Sequence, residues 1–174
     1  MSEKKAFDDD LLTFIQNKNK KKYALDLACG NGIHSIFLAK NGWKVSSVDI
    51  KEQSFKALKN IKYFKIDLEN NEIDLTKQPP FDIFYDLIII FKYLNIPLVK
   101  KLPKFLNNNG VLICETFMEG NEKFGRPNNP NFLLKKNQLK KLSLDGLKIV
   151  LFNQGEKNYS GKKSLMQKAV FKKY

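Results

Sequence analysis

From Tyr23 onward, short apolar runs alternate with amphipathic stretches. "YALDLAC" at 23–29, "WKVSSVDI" at 43–50, "IKYFKIDL" at 61–68, "YDLIIIF" at 85–91 and "VLICETF" at 111–117 have strand length and strand patterning. Between them, "IHSIFLAKNG" has apolar residues at helical spacing and is closed by Gly42. "KEQSFKALKN" at 51–60 and "IPLVKKLPKFL" at 96–106 also read as helices, the second despite Pro103, and "NNNG" at 107–110 predicts a turn. Strands separated by helical segments imply right-handed crossovers. The predicted fold class is α/β: a doubly wound, Rossmann-like, mostly parallel seven-stranded sheet in a three-layer αβα sandwich.

The two ends of the chain break this alternation. "FDDDLLTFIQ" is amphipathic and leads into a polar run, so residues 1–22 read as an N-terminal helix and loop. After the fifth strand, "MEGNEKFGRPNNPNF" at 118–132 is too rich in Gly, Asn and Pro for a regular element, and its length suits a substrate lid. "LLKKNQLKKL" at 133–142 reads as a short helix. "LKIVLFN" and "LMQKAVFKK" then form an antiparallel C-terminal hairpin at the sheet edge. No repeat or linker divides the chain, so 1–174 is read as a single domain.

The charge of +13 raises the question of nucleic acid, but Arg126 is the sole arginine among 31 basic residues. Lysine gives phosphate attraction without the bidentate fork that reads base edges, so solvated lysine faces are the first reading and nucleic acid the second. No window approaches the roughly 18 apolar residues of a membrane span, and Met1-Ser-Glu-Lys-Lys leads into no apolar signal core; a cytoplasmic protein without membrane contact is expected. Cys29 and Cys114 lie apart in apolar runs, which argues against disulfides and against a metal site.

Chemistry concentrates at "ALDLACGNGIHS", residues 24–35. In an open parallel sheet, ligands bind beyond the carboxyl ends of the strands, and Gly30 and Gly32 would let a ligand approach the backbone closely there. The third glycine of a dinucleotide fingerprint is missing after Gly32. Acids instead end three successive strand candidates: Asp26, Asp49 (nineteen positions after Gly30) and Asp67. A carboxylate at the second of these places can hold the hydroxyls of a ribose.

"LDLACGNG", "VDI" and "KIDL" resemble the first three motifs of class I S-adenosylmethionine-dependent methyltransferases, and "YDLIIIFKYL" and "NNNGVLICETF" resemble the following strands. The "GNGIHS" helix start and the "ETF…FGRPNNPNFLL…QL" tail are similar to small methyltransferases grouped with tellurite-resistance proteins. The resemblance implies that S-adenosylmethionine is bound and S-adenosylhomocysteine released. It implies that Asp26 holds the methionine amino group, and that Ala28, Cys29, Gly30 and Gly32 lie against the methionine and ribose. It further implies that Asp49 binds the ribose hydroxyls with Ile50 on adenine, that Asp67 and Leu68 meet the adenine edge, and that Phe91 lines the methionine side. Ala28 stands where many members carry glycine, and the added methyl is expected to be tolerated.

His34, the sole histidine, is expected beside the cofactor, and Cys29 as small packing rather than a nucleophile. Tyr93, Glu115 and Arg126 are the candidates for acceptor contact or catalysis. Methyl transfer is an in-line displacement that mainly needs orientation and exclusion of water. The expected activity is methyl transfer to a small-molecule acceptor, a thiol or metalloid oxyanion, by a monomer or homodimer. An RNA methyltransferase and a non-catalytic cofactor-binding scaffold are the alternatives.

Overall fold

The computed structural model describes residues 6–16, 22–52, 54–70, 78–159 and 161–174. The ends of the 1–22 segment, residues 1–5 and 17–21, lie outside them. Seven strands form one sheet in the order β3-β2-β1-β4-β5-β7-β6. β1 (Tyr23–Leu27), β2 (Lys44–Asp49), β3 (Ile61–Lys65), β4 (Tyr85–Phe91) and β5 (Leu106–Phe117) are mutually parallel. β6 (Leu147–Tyr159) and β7 (Lys162–Lys173) form the antiparallel hairpin, with β7 seated between β5 and β6.

Side-chain alternation along the strands sorts the core into two layers. Leu87 and Ile89 of β4 face α1 (Asp9–Ile15) and α2 (Ile33–Lys40) with Leu11, Ile15, Leu38 and Trp43. Ile88 and Ile90 face the opposite layer, where α3 (Ile96–Lys101) contributes Leu98 and Val99. A strand buried on both faces must be apolar throughout, which is why "LIII" is an unbroken run. Among the described residues no helix is long and apolar enough to cross a membrane.

Three sequence expectations change. Among the described residues of 51–60 the regular element is a 3-10 turn at Ser54–Ala57, because the connection from Asp49 to Ile61 is too short for a full crossover helix plus its turns. "NNNG" does not turn the chain ahead of β5 but bulges within it: Tyr85 pairs with Leu106 and Leu87 already with Val111. Residues 136–141 are turns rather than a helix. There Asn137 has φ of 58°, and the Gln167 side chain accepts the Leu139 N–H at 3.0 Å and donates to the Lys135 carbonyl at 2.6 Å. A buried glutamine satisfied by this backbone outweighs the helical propensity of the lysines.

Candidate functional site

The order β2-β1-β4 places the switch point of the sheet at β1, and the chain leaves β1 directly into the glycine turn. Parallel strands bring the tips of β1 to β5 to one edge. That edge therefore collects Ala28–Gly32, Asp49 and Ile50, Asp67 and Leu68, Phe91 and Tyr93, and Glu115.

The two glycines are not equivalent. Gly30 has φ of 52° and nothing within 4 Å of where a Cβ would stand, so open space lies against its backbone. Gly32 has φ of 75°, and a Cβ there would lie 2.3 Å from the buried ring of Phe55. Gly30 is open on its Cβ side, whereas Gly32 is consumed by packing of the 3-10 turn against the start of α2. Ala28 also lies in the left-handed region, with φ of 53°, a conformation costing a non-glycine residue about 1–2 kcal/mol. The expectation that the alanine methyl is merely extra bulk therefore overlooks the backbone.

Each acid has a distinct environment. Asp26 is 1% exposed and accepts the Ser35 hydroxyl at 2.6 Å, while Ser35 Oγ lies 2.7 Å from Ser47 Oγ. Burial drives its pKa up to about 7, against the stabilising hydrogen bonds from Ser35. Asp26 thus clamps the first turn of α2, which has no side-chain cap at Gly32. Asp49 accepts the Gly30 N–H at 2.8 Å and the Lys51 N–H at 3.0 Å, so its carboxylate spans the tips of β1 and β2. Asp67 is exposed and accepts the Glu69 N–H at 2.9 Å. Beside Asp49, Ile50 is 53% exposed, an apolar surface at the rim of a polar edge.

His34 and Phe91 stack with centroids 4.0 Å apart, and Phe7 packs on both at 4.9 and 5.7 Å. Burial, followed by the nearby Lys92 charge, pushes the His34 pKa down to about 4. The imidazole is neutral at neutral pH. Cys29 is buried, and burial with the Asp26 and Asp49 charges holds its thiol far above the ordinary range, as suits packing rather than nucleophilic chemistry.

The three acceptor candidates separate. Tyr93 donates to Glu69 at 2.5 Å and accepts from Asn95 at 3.3 Å; burial and the Glu69 bond raise its pKa above the usual phenol range. Glu115 is 1% exposed, and both carboxylate oxygens take Lys157 Nζ at 2.7 Å. It is therefore a partner in an ion cluster rather than a solvent-facing base. Lys157 also pairs with Asp8, and Lys168 with Asp8 at 2.9 Å and Asp10 at 2.6 Å. Burial opposes the shift, yet these lysines hold the Asp8 carboxyl below its usual range. Arg126 is exposed on the 118–132 loop.

Residues 11–156 match the family model of the tellurite resistance protein TehB, which covers most of the chain. The chain belongs to the TehB family. TehB from Haemophilus influenzae superposes with a TM-score of 0.72 at 19% identity, over 97% of this chain and 63% of that one. The N-methyltransferase NodS from Bradyrhizobium japonicum WM9 gives 0.66 at 14%, over 94% and 92%. At such identities the likeness establishes the fold. Among curated proteins, the ribosomal protein L11 methyltransferase of Thermosipho melanesiensis is 36% identical over 99 residues, 55% of this chain and 38% of that protein. Its counterpart in Thermosipho africanus is 36% identical over 117 residues, 62% of this chain and 44% of that protein. The chain spans about two fifths of the length of these relatives.

Within this TehB-family framework several residues shape the edge without a sequence signal. Ser35 and Ser47 are ordinary small polar residues until the fold buries them against Asp26. Phe7 and Phe55 read as generic apolar positions, yet they close the His34–Phe91 stack and the Gly32 turn. Asn121, 1% exposed, accepts the Leu165 N–H at 2.9 Å and donates to the Pro127 carbonyl at 3.2 Å, tying the 118–132 loop to β7. Its place in a loop rich in asparagine gave no means of distinguishing it.

Proposed function

We propose that this TehB-family chain is an S-adenosylmethionine-dependent methyltransferase acting on a small-molecule acceptor. The observation that carries the reading is the open Gly30 turn flanked by Asp26, Asp49 and Asp67 at the tips of three adjacent parallel strands. Bound there, S-adenosylmethionine supplies an electrophilic methyl group, and S-adenosylhomocysteine is the product. Asp49 holds the ribose hydroxyls, Ile50 covers the adenine, and Asp67 with Leu68 meets the adenine edge. Ala28, Cys29 and Gly30 supply the backbone against the methionine and ribose, with Gly32 shaping the turn through its packing on Phe55; His34 and Phe91 wall the methionine side. Asp26 acts on the methionine amino group and on the turn together, since Ser35 already holds its carboxylate. The fold neighbour NodS has been solved with S-adenosylhomocysteine, which supports the same cofactor class here.

Transfer requires orientation and exclusion of water more than a strong base. Tyr93 is held above the usual phenol range and Glu115 is bound by Lys157, so the acceptor brings its own lone pair. A thiol or a metalloid oxyanion meets that requirement. The 118–132 loop is the lid, anchored through Asn121, and Arg126 is its contact to an anionic acceptor. The test is calorimetric titration of S-adenosylmethionine and S-adenosylhomocysteine into the wild type and Asp49→Ala. Binding by the wild type and its loss in the variant are expected. A folded wild type that binds neither ligand defeats the proposal.

A further inference from the structure

Lysines stand at the carboxyl edge of the sheet, where Lys157 is engaged by Glu115 and Lys92 lies beside His34. The amino edge also carries lysines, at nearly every strand. Lys22 precedes β1, Lys44 opens β2, Lys62 is second in β3, Lys104 precedes β5, and Lys148 is second in β6. β7 runs the other way, so Lys172 near its end pairs with Lys148 at the same level. Asp82 lies just ahead of β4, Asp86 at its start and Asp145 just ahead of β6, and Asp86 is already taken by the Tyr23 N–H at 3.0 Å and the Asn107 amide at 2.9 Å.

Aromatic and apolar surface is interleaved with these lysines. Tyr174 is 66% exposed, with Lys148 and Lys172 Nζ 5.4 and 5.3 Å from its ring centroid. Phe84 is 61% exposed next to Ile83. A cavity of about 320 Å³ opens between Tyr23, Lys44, Asn60, Lys62 and Ile83, with Lys44 Nζ 5.5 Å above the Tyr23 ring. Seven strands about 4.8 Å apart make this track about 29 Å wide, longer than a small ligand needs.

We propose that the amino edge of the sheet binds single-stranded RNA, on the side of the molecule opposite the methyl-transfer site. Lysines neutralise phosphates, and exposed rings between them offer stacking faces to unpaired bases. An acidic protein surface satisfies the lysines but leaves Tyr174 and Phe84 without a counterpart, and a duplex buries the bases that the rings would meet. Lysine without arginine attracts the backbone and reads few base edges, so the binding is tolerant of sequence. The inference does not rest on the methyl-transfer reading.

The test is fluorescence anisotropy with a labelled oligo(U) of about 20 nucleotides and the full chain over a range of salt. Binding is expected with a log–log salt slope of about −3.5 to −4.2, from roughly 0.7 for each of five or six phosphate contacts. Tyr174→Ala is expected to weaken it about tenfold at unchanged slope, the scale of one lost stacking partner. Lys44→Glu with Lys62→Glu is expected to reduce both affinity and slope while the urea midpoint stays near that of the wild type. Tyr174, being exposed, keeps the proposal testable if the double lysine variant unfolds. Absence of salt-dependent RNA binding overturns the proposal. So does equal binding of polyglutamate with no effect of Tyr174→Ala, which assigns the edge to an acidic protein, or binding to phosphatidylserine vesicles alone.

Discussion

Replacing Gly32 with alanine separates packing from ligand access at the glycine turn. The new Cβ would stand 2.3 Å from Phe55 Cε1 and 2.5 Å from both Cδ1 and Cζ. The buried ring must swing away, an overpacking cost of about 1–3 kcal/mol. The φ of 75° adds about 1–2 kcal/mol for a non-glycine residue. The sum is about 2–5 kcal/mol, or a fall in Tm of about 5–15 °C for a chain of this size. Gly30→Ala carries the φ cost alone, about 1–2 kcal/mol, because nothing lies within 4 Å of its Cβ. Urea denaturation of both variants, with Phe55→Ala as the partner in a double-mutant cycle, measures the difference. The cycle should show the Gly32→Ala cost shrinking to the φ contribution once the ring is gone. Gly30→Ala should instead lose cofactor affinity at modest cost in stability. Equal destabilisation by the two alanines, with no coupling to Phe55, would refute the assignment of different roles to the two glycines.

Two further outcomes follow from the same edge. His34 has its folded pKa lowered from 6.5 to about 4, so its contribution is lost as pH falls through that window; Asp26 has its own raised from 3.8 to about 7, so stability there is lost as pH rises. The slopes oppose, each up to about 1.4 kcal/mol per pH unit; Asp26→Asn should leave a stability that declines toward acid, and His34→Phe one that declines toward neutral. Urea midpoints between pH 4 and 7 check this, and slopes of the same sign in both variants would sink it. Ala28→Gly should stabilise by about 0.5–1 kcal/mol, since relief at φ 53° exceeds the entropy cost of glycine, and thermal denaturation reads the sign.

Most of the strands and their mostly parallel arrangement were legible because buried parallel strands write unbroken apolar runs, and the glycine turn is bounded by such a run. The acids were legible for a similar reason: Asp26, Asp49 and Asp67 each end or follow a strand, and parallel topology brings successive strand ends together. Connections were less so. Residues 51–60 carry helical composition, but length, a long-range quantity, limits them to one 3-10 turn. The turns at 136–141 depend on Gln167, thirty positions later in round terms, whose burial no local window registers. Glu115 was placed correctly at the end of β5, yet its engagement by Lys157 required β6 to be in position.

The ion cluster also orders events during synthesis. Lys168 contacts Asp8 across 160 positions of sequence, and β6, although made before β7, reaches the sheet only through β7. The leading segment packs through Phe7, Leu11 and Ile15 on the layer of Leu38, Trp43 and Leu87, whereas the ion pairs of Asp8 and Asp10 wait for Lys157 of β6 and Lys168 of β7. Phe7 rests on His34 and Phe91, so the aromatic stack beside the glycine turn sits next to the Asp8 ion pairs that β6 and β7 complete. A chain stopped before β6 therefore keeps the glycine turn but lacks the Lys157 and Lys168 amines that Asp8 and Asp10 engage.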